Sequence, residues 1–543
     1  MNRYIFFSGG VCSSLGKGLA ATSLANLLES HGLKVQMIKI DPYLNVDAGT
    51  MSPYQHGEVY VTRDGFETDL DLGNYARFTN VEITRENSIT TGQVYQEVIK
   101  KEREGRYLGR TVQIIPHITD EIKHRIFAVG KKPDAEVTII EIGGTVGDIE
   151  SVPYLEAARQ MIIELGRKRV MFIHLTLIPE VGGGEYKTKP TQHSVMKLRE
   201  IGIQPDVLIC RSSAMLTADL IHKIALFTNV DRDSVISGYD LKDTIYELPL
   251  VFRDQNLDSI VLNKLGLPEN EPDLSEWEHV VDICRHAERT VTVGILGKYL
   301  HQPDTYKSVF ESLTHGGIAH QAKVVLRSID SEEAEDFTEE EMKQVFSEVD
   351  GILIPGGFGS RGTLGMIRGM QYAREQGIPC FGICLGMQIM VIEYARNVLG
   401  WSTADSTEFR PETSYPVISL LEEQVNQTHL GGTMRLGSSE SLLAEGTKIR
   451  SIYGTESIFE RHRHRYEFAS QYRKEFAEAG LVFSGSTPEN SLVESVEWPD
   501  HPWGIGVQFH PEFTSTPRSP NPLFSSFIGA CLNVQGKPSH GTS

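Results

Sequence analysis

Short apolar runs alternate with segments of helical periodicity over the first 265 residues. The run at 4–7 precedes a segment at 19–29 in which leucines recur on one face, and further apolar runs stand at 35–40, 137–142 and 170–177. Apolar runs of this length predict buried strands, and the segments between them predict helices. The alternation therefore predicts a doubly wound, mostly parallel sheet.

A second domain is predicted after an acidic break in this pattern. Residues 268–273 contain two prolines and no apolar residue, which is typical of a linker, and the apolar run at 290–296 begins a second strand–helix series. The sequence thus predicts the α/β class with two doubly wound domains. We expect a first domain at 1–266, a linker at 267–289, a second domain at 290–535 and a disordered tail at 536–543.

Charge and cysteine content restrict the possible partners and the compartment. The formal net charge is -20 over 543 residues, which argues against general binding to nucleic acid or to a membrane surface. The six cysteines stand at 12, 210, 284, 380, 384 and 531 without the spacing of a zinc site or a disulfide framework. With no signal peptide and no apolar stretch of transmembrane length, these features predict a cytoplasmic protein.

A glycine-rich loop between the first strand and the first helix is a candidate phosphate-binding site. Residues 8–18 end in Gly16, Lys17 and Gly18, so backbone N–H groups, the helix dipole and one lysine would face an anion. The alternative is an ordinary strand-to-helix turn. Five residues separate Gly10 from Gly16, and Gly18 stands where a hydroxyl residue commonly holds Mg²⁺, so metal ligands must come from elsewhere.

Two carboxylates are the candidate ligands for Mg²⁺. Glu141 lies near the end of an apolar strand, where an unpaired carboxylate would be costly to bury, and Asp71 follows an alternating acidic segment. The alternatives are a salt bridge for Glu141 and a solvated loop for Asp71. Lys39, near the end of the second strand, is positioned to reach a phosphate or to be solvated. A polar loop at 182–192 with two lysines would suit a second phosphate group or be merely solvated.

Cys384 is the candidate nucleophile of the second domain. It follows an apolar run at 377–381, precedes a helical segment, and has a glycine two residues away on each side, as in a nucleophile elbow. The alternative is a buried structural cysteine. His510 and Glu512 would supply a base and its orienting carboxylate, although an i, i+2 pair needs a bend to form a bond. Together they predict acyl transfer with release of an amine.

Two further segments of the second domain admit two interpretations each. The close-set glycines of the loop at 355–362 predict either an oxyanion hole or a tight turn. The basic cluster at 461–466 is either a solvated face or a clamp for a substrate carboxylate.

Five motifs resemble those of the CTP synthase family. They are Ser-Gly-Gly-Val-Cys-Ser-Ser-Leu-Gly-Lys-Gly at 8–18, Glu-Ile-Gly-Gly-Thr-Val-Gly-Asp-Ile-Glu at 141–150, Lys-Thr-Lys-Pro-Thr-Gln at 187–192, Gly-Ile-Cys-Leu-Gly-Met-Gln at 382–388 and Gln-Phe-His-Pro-Glu-Phe at 508–513. The first three resemble the family's P-loop amidoligase domain, similar to dethiobiotin synthetase. The last two resemble a class I glutamine amidotransferase domain.

The resemblance implies that ATP phosphorylates the 4-oxygen of UTP and that ammonia from L-glutamine replaces it, giving CTP. It also implies Mg²⁺ as cofactor, CTP as feedback inhibitor, GTP as allosteric activator and a homotetramer. Because free ammonia would largely become ammonium in water near neutral pH, a passage between the two sites is expected, and His56 resembles the family's residue there.

The resemblance also assigns residues to the ligands. ATP would contact Ser14, Leu15, Gly16, Lys17, Gly18, Leu19, Lys39, Asp71 and Arg211, with Mg²⁺ on Asp71 and Glu141. UTP or CTP would contact Ser13, Asp148, Ile149, Glu150, Lys187, Thr188, Lys189, Pro190, Thr191, Gln192 and Lys223. Glutamine would contact Gly357, Leu385, Gly386, Met387, Gln388, Glu408 and Arg465 around the triad Cys384, His510 and Glu512.

Two other functions are compatible with the same residues. One is an amidotransferase-coupled ligase that amidates a carboxylate, and the other is a non-catalytic assembly protein on the same fold. A full set of candidate catalytic residues argues against the second, since an inactive relative would be expected to have lost some of them.

Overall fold

A computed structural model describes residues 2–298, 300, 302–420 and 434–535. The predicted tail at 536–543 lies outside the described residues. The chain forms two compact units, which are described separately below. The first comprises Met1–Ala48 and Asp71–Val281, and the second comprises Gly49–Leu70 and Asp282–Ser543. The segment Gly49–Leu70 therefore belongs to the carboxyl-terminal unit, which the sequence did not predict.

The strands in chain order are β1 (Arg3–Gly9), β2 (Val35–Asp41), β3 (Tyr60–Val61), β4 (Glu67–Thr68), β5 (Ser88–Thr90), β6 (Val137–Ile142), β7 (Val170–Leu177), β8 (Glu180–Val181), β9 (Glu185–Tyr186), β10 (Val207–Ser212), β11 (Val235–Tyr239), β12 (Arg289–Gly297), β13 (Ala322–Asp330), β14 (Gly351–Ile354), β15 (Cys380–Ile383), β16 (Ala404–Ser406), β17 (Tyr415–Leu420), β18 (Arg435–Leu443), β19 (Ser457–His464), β20 (Tyr466–Phe468), β21 (Val482–Ser486), β22 (Val493–Glu497) and β23 (Gly504–Val507).

The helices are α1 (Lys17–Ser30), α2 (Pro53–His56), α3 (Asp71–Phe78), α4 (Thr91–Arg103), α5 (Thr119–Gly130), α6 (Val152–Leu165), α7 (Lys189–Glu200), α8 (Ala218–Thr228), α9 (Leu248–Asp254), α10 (Leu257–Leu265), α11 (Ser275–His286), α12 (Lys307–Ala319), α13 (Glu339–Phe346), α14 (Thr363–Gln376), α15 (Leu385–Asn397), α16 (Lys448–Tyr453), α17 (Arg473–Glu478) and α18 (Pro522–Gln535). Across the described residues, none of these helices is long and apolar enough to cross a bilayer.

The amino-terminal unit contains a parallel sheet with the strand order β11-β10-β7-β1-β6-β2-β5. Its central strand β1 pairs in parallel with both β6 and β7, and Ile5, Phe6 and Phe7 are fully buried. Strand β2 pairs with the other side of β6. Because the strands are parallel, the carboxyl ends of β1, β2 and β6 meet at one edge of the sheet, where ligands bind in open α/β folds.

The carboxyl-terminal unit contains a mixed sheet with the order β13-β12-β14-β15-β23-β22-β21-β18-β19. The first five strands are parallel, and the last four continue the sheet in antiparallel fashion. Buried residues of α14 and α15 belong to one apolar cluster, and those of α12 and α18 belong to another. The predicted α/β class with parallel sheet cores is confirmed, whereas the antiparallel extension was not predicted.

Part of the segment predicted as a linker is helical. Helix α11 spans Ser275–His286, and its Trp277 is buried with the indole Nε1–H donating to the Tyr246 carbonyl at 2.6 Å. Phe78 packs against the same indole at 5.2 Å between ring centroids. The linker-like composition was confined to residues 268–273, and the apolar residues after them form the buried face of α11. The predicted linker at 267–289 was therefore too long.

Candidate functional site

The glycine-rich loop of the amino-terminal unit leads from β1 into α1. Helix α1 begins at Lys17, two residues earlier than its apolar periodicity predicted, and Gly16 precedes it with a left-handed φ of 84°. Lys17 is buried, and its ammonium donates to the Gly144 carbonyl at 3.1 Å. Burial lowers the pKa of Lys17, and nearby Glu141 opposes that change. A buried ammonium at the start of a helix is well placed to pair with a phosphate.

A cluster of opposite charges lies beside this loop at the ends of β2 and β6. The Lys39 ammonium is 3.4 Å from Asp41 and 3.7 Å from Glu141, and it forms a direct ion pair with Asp71. The Tyr75 hydroxyl donates to Glu141. Burial, and then the charge of Asp71, raise the pKa of Glu141 to about 7. The salt bridge that was the alternative to Mg²⁺ binding at Glu141 is therefore present. Its cation, Lys39, also pairs with Asp41 and Asp71.

The two carboxylates have the chemistry and location to hold Mg²⁺. A methyl group added to Gly18 would overlap the Asp71 carboxylate, with 2.9 Å to its Cγ, and would lie 3.3 Å from Glu141 Oε2. Both side chains thus converge on the first turn of α1. Among the described residues, no group of three or more His, Cys, Asp or Glu side chains forms a complete metal site. Mg²⁺ commonly binds one or two carboxylates plus substrate phosphates, so the pair fits this ion.

Most of the predicted UTP contacts lie on two segments of the same unit. Asp148, Ile149 and Glu150 are exposed at the start of a short 3-10 helix. The other segment follows the β8–β9 hairpin, where Thr188 precedes α7 and accepts from the Gln192 side chain at 3.1 Å. The remaining predicted UTP contacts are Ser13, exposed in the phosphate loop, Lys187, paired with Glu185 at 2.6 Å, Lys189 and Pro190, in the first turn of α7, Thr191, bonded to the Leu177 carbonyl at 3.1 Å, and Lys223, exposed on α8. Arg211, a predicted ATP contact, pairs with Asp240 at 2.5 Å.

Cys384 occupies a strained corner between β15 and α15 in the carboxyl-terminal unit. Its φ of 53° and ψ of −100° lie outside the regions that side-chain-bearing residues favour. A methyl group on Gly382 would lie 2.6 Å from the Gly386 carbonyl carbon, and one on Gly386 would overlap the Ile354 carbonyl. The predicted elbow is confirmed, and both flanking glycines are required because backbone passes directly against them. The strand itself is Cys380–Ile383, later than the apolar run at 377–381 indicated.

A short 3-10 turn brings His510 and Glu512 together. Residues Pro511–Phe513 form this turn, and the His510 Nδ1–H donates to Glu512 Oε1 at 2.7 Å. The i, i+2 pair therefore has the bend that the sequence required. Burial alone would lower the pKa of His510, but the charges of Glu512 and Cys384 raise it to about 10. The raised pKa favours the imidazolium form of His510, which can donate a proton to a departing amine.

The three side chains line one cavity with the loop of predicted oxyanion donors. A methyl group on Gly356 would lie 3.0 Å from His510 Cε1 and 3.6 Å from Cys384 Cβ, so this loop passes over both. The loop is held by Glu408, which accepts from the Gly359 N–H at 2.7 Å, and by the Lys298 ammonium, which donates to the Phe358 carbonyl at 3.2 Å. The residues that line the cavity are Glu58, Val59, Thr305, Tyr306, Val309, Gly356, Gly357, Phe358, Cys384, Arg463, His510, Glu512 and Phe513.

The basic cluster at 461–466 overlaps β19 and alternates between two faces. The Arg461 carbonyl accepts from the His510 N–H at 2.7 Å, and the Arg463 carbonyl accepts from the Cys384 thiol at 3.9 Å. The two histidines of the cluster, His462 and His464, are buried. The prediction of a solvated face, one of the two alternatives for this cluster, is therefore wrong for these two residues. The strand therefore supports the thiol and the imidazole with its backbone.

The remaining predicted glutamine contacts surround Cys384. Leu385, Gly386, Met387 and Gln388 form the buried first turn of α15, and the Gln388 side chain donates to the Tyr466 carbonyl at 3.0 Å. Arg465 and Glu408 lie close enough for the arginine charge to oppose the rise that burial causes in the Glu408 pKa. His56 is exposed on α2, two residues before Glu58.

Several residues of the cavity were missed from the sequence. Glu58 is buried and accepts from the Ser308 N–H at 3.1 Å, which carries Val59 to the cavity wall. No local pattern in the chain indicates that contact, because 250 residues separate its partners. Lys298 could have been predicted, because it directly follows the last residue of β12, much as Lys39 lies near the end of β2. A lysine at the end of a strand was predicted as a site residue only in the first domain.

Comparison with protein families gives two matches that together cover most of the chain. Residues 3–267 match the family described as "CTP synthase N-terminus", and residues 301–530 match "Glutamine amidotransferase class-I". The chain is similar to a CTP synthase of Carboxydothermus hydrogenoformans, with 55% identity over 535 residues that cover 98% of this chain and 99% of the relative. It is similarly related to a CTP synthase of Aquifex aeolicus, with 54% identity over 538 residues, 99% of this chain and 100% of the relative.

Among solved structures, the chain is similar to the glutaminase domain of Trypanosoma brucei CTPS with bound acivicin. The identity is 40%, the match covers 45% of this chain and 94% of that one, and the TM-score is 0.43.

Proposed function

This chain belongs to the CTP synthase family, and from that premise we propose that it converts UTP to CTP with ATP and nitrogen taken from L-glutamine. The observation that carries the proposal is that one chain contains two different arrangements. The first is a strained corner at Cys384 beside the His510–Glu512 pair, and the second is the pair of carboxylates beside the phosphate loop. The first arrangement suits hydrolysis of an amide, and the second suits transfer of a phosphoryl group.

In the glutaminase half, Cys384 attacks the side-chain amide of glutamine. His510 donates a proton to the departing nitrogen, and Glu512 keeps the imidazole oriented through the 2.7 Å bond at Nδ1. Backbone N–H groups near Gly357 stabilise the oxyanion of the tetrahedral intermediate. Water then cleaves the thioester and releases glutamate.

In the synthetase half, Lys17 and the backbone of the phosphate loop hold ATP, and Lys39 neutralises charge on the transferred phosphate. Asp71 and Glu141 would hold Mg²⁺, which supplies neutralisation of phosphate charge when it is bound. Burial and the charge of Asp71 raise the pKa of Glu141 to about 7, and a bound divalent cation would lower it again by favouring the ionised form. The 4-oxygen of UTP accepts the phosphoryl group and leaves when ammonia attacks the ring.

Several finer features belong to the same proposal. The segment that carries His56, Glu58 and Val59 reaches the glutaminase cavity, which supports a role for it in the exit of ammonia. A homotetramer, inhibition by CTP, activation by GTP and a cytoplasmic location follow from family likeness and stay predictions.

The test is an ultraviolet assay for CTP with UTP, ATP and Mg²⁺ that compares glutamine with ammonia as the nitrogen source. Cys384→Ala should abolish synthesis from glutamine and leave synthesis from ammonia intact. The matched control is Cys380→Ala, since Cys380 is also buried, at the start of β15, but contacts Met370. Failure to form CTP from either nitrogen source by the unmodified protein would contradict the proposal.

The same assay separates the alternative ligase. A carboxylate-amidating enzyme would consume ATP and glutamine only when a carboxylic acid acceptor is supplied, and UTP would have no effect on ATP consumption. ATP hydrolysis that depends on UTP would exclude that alternative.

A further inference from the structure

A chain of three buried polar side chains lies behind the phosphate loop in the amino-terminal unit. His174, on β7, is 2.7 Å from the Ser8 hydroxyl through Nδ1 and 2.7 Å from the Ser194 hydroxyl through Nε2. The exposed fractions of these residues are 0% for His174, 1% for Ser8 and 6% for Ser194. Both ring nitrogens are thus satisfied without water.

The two serines belong to two segments that the family resemblance assigns mainly to different nucleotides. Ser8 lies in β1, immediately before the loop that would hold ATP. Ser194 lies in α7, two residues after Gln192, the last predicted UTP contact on that helix. His174 therefore joins the ATP loop to the UTP helix by one rigid ring.

The packing around this ring leaves no room for adjustment. A methyl group on Gly10 would overlap the Ser194 side chain, with 2.9 Å to its Cβ, and would lie 3.1 Å from His174 Nε2. The loop backbone hence lies directly against the imidazole and the helix. A shift of α7 relative to the loop would break a buried hydrogen bond or create an overlap.

The imidazole is neutral in the folded protein. Burial, and then the charge of Lys17, lower the pKa of His174 to about 3. A neutral ring has one donor and one acceptor, and a serine hydroxyl can take either part. The ring therefore serves as a spacer of constant charge and leaves proton transfer to other groups.

We propose that His174 is a positioning residue that fixes the UTP-binding helix α7 against the ATP loop, so that UTP is bound where the phosphoryl group arrives. This inference rests on the proposed function, because it takes α7 as part of the UTP site. Displacement of reacting groups by about 1 Å costs about 100-fold in rate. Replacement of the ring by one that cannot bond should therefore impair UTP use far more than glutamine hydrolysis.

The experiment compares three variants. His174→Phe removes both hydrogen bonds and leaves two buried hydroxyls without partners, while His174→Gln keeps a donor and an acceptor. The control is His31→Phe. His31 is also buried and also bridges two segments, at 2.9 Å from Asp258 and 2.5 Å from the Asn270 carbonyl, but it lies at the other end of α1 from the phosphate loop.

The measurements are the KM for UTP and the kcat with ammonia as nitrogen source, glutamate release from glutamine, and the urea midpoint of each variant. We expect His174→Phe to raise the KM for UTP at least tenfold while glutamate release stays near the wild-type rate, and His174→Gln to restore part of the affinity. His31→Phe should lose comparable stability and keep the wild-type KM. An unchanged KM in His174→Phe, or an equal rise in both phenylalanine variants, would overturn the inference.

A substitute variant covers the case in which His174→Phe does not fold, and the failure of this inference can be distinguished from failure of the proposed function. If His174→Phe does not fold, Ser194→Ala takes its place, since it breaks only the bond to α7 and carries the same expectation for the KM of UTP. Failure of the proposed function would appear as absence of CTP formation in the unmodified protein. Failure of this inference would appear only in the comparison among variants.

Discussion

A methyl group at Gly18 tests whether the carboxylate pair above the phosphate loop is part of the synthetase site. Gly18 is buried in the first turn of α1. The added Cβ of Gly18→Ala would lie 2.9 Å from Asp71 Cγ, whereas ordinary carbon contacts are about 3.5–4.0 Å. Asp71 must therefore move by about 1 Å to restore normal contact.

The expected result is a selective loss of synthesis. Alanine is about 1 kcal/mol more favourable than glycine within a helix, and Asp71 is a side-chain carboxylate that is able to turn aside, so the fold should keep its stability. A displacement of about 1 Å at a reacting site costs about 100-fold in rate. We thus expect about a 100-fold lower rate of CTP formation with ammonia, a higher Mg²⁺ requirement and unchanged glutamine hydrolysis.

The assay is CTP formation from ammonia over a titration of Mg²⁺, with urea unfolding as the measure of stability. Gly32→Ala is the control, because Gly32 follows the other end of the same helix with a φ of 85° and open space around it. That variant should lose about 1 kcal/mol of stability and no activity. The reasoning is refuted if Gly18→Ala keeps the wild-type rate and Mg²⁺ requirement.

Three further predictions concern single ionisable residues. Lys17→Ala should abolish CTP formation from both glutamine and ammonia, measured by absorbance, and retention of the ammonia route would remove Lys17 from the phosphate site. Glu512→Gln should lower the pKa of His510 from about 10 to about 8–9, because a hydrogen bond to a charged group contributes about 1.5–3 kcal/mol. An NMR titration in which the pKa of His510 is the same in variant and wild type would contradict this prediction. The pKa of about 3 for His174 means that the unfolded chain binds a proton below pH 6.5 that the folded chain does not. This one group should therefore reduce the free energy of unfolding of the wild type by about 1.4 kcal/mol per pH unit below 6.5. Because His174→Gln lacks this group, the stability difference between wild type and variant should narrow from pH 7.5 to 5.5 in urea titrations. A constant difference would show that His174 does not titrate in this way.

The sequence alone determined the local units of this protein. Apolar runs and helical periodicity predicted β1, α1 and β6 within a few residues, and the glycines around Cys384 predicted the elbow. These features are local, because they depend on backbone sterics and on side-chain spacing within a single element. The motifs that indicated the family are also contiguous, so the amidoligase and amidotransferase halves are recognisable from the order of residues alone.

Only the tertiary structure decided which distant residues meet. It placed Gly49–Leu70 in the glutaminase unit, where Glu58 bonds to Ser308 across 250 positions of sequence. It buried the histidines of the basic cluster at 461–466, and it joined Ser8 to Ser194 through His174. Such contacts arise when strands pair and helices pack, and they leave no periodicity in the chain. Composition and spacing thus identify the parts of each site, whereas packing determines which of those parts act together.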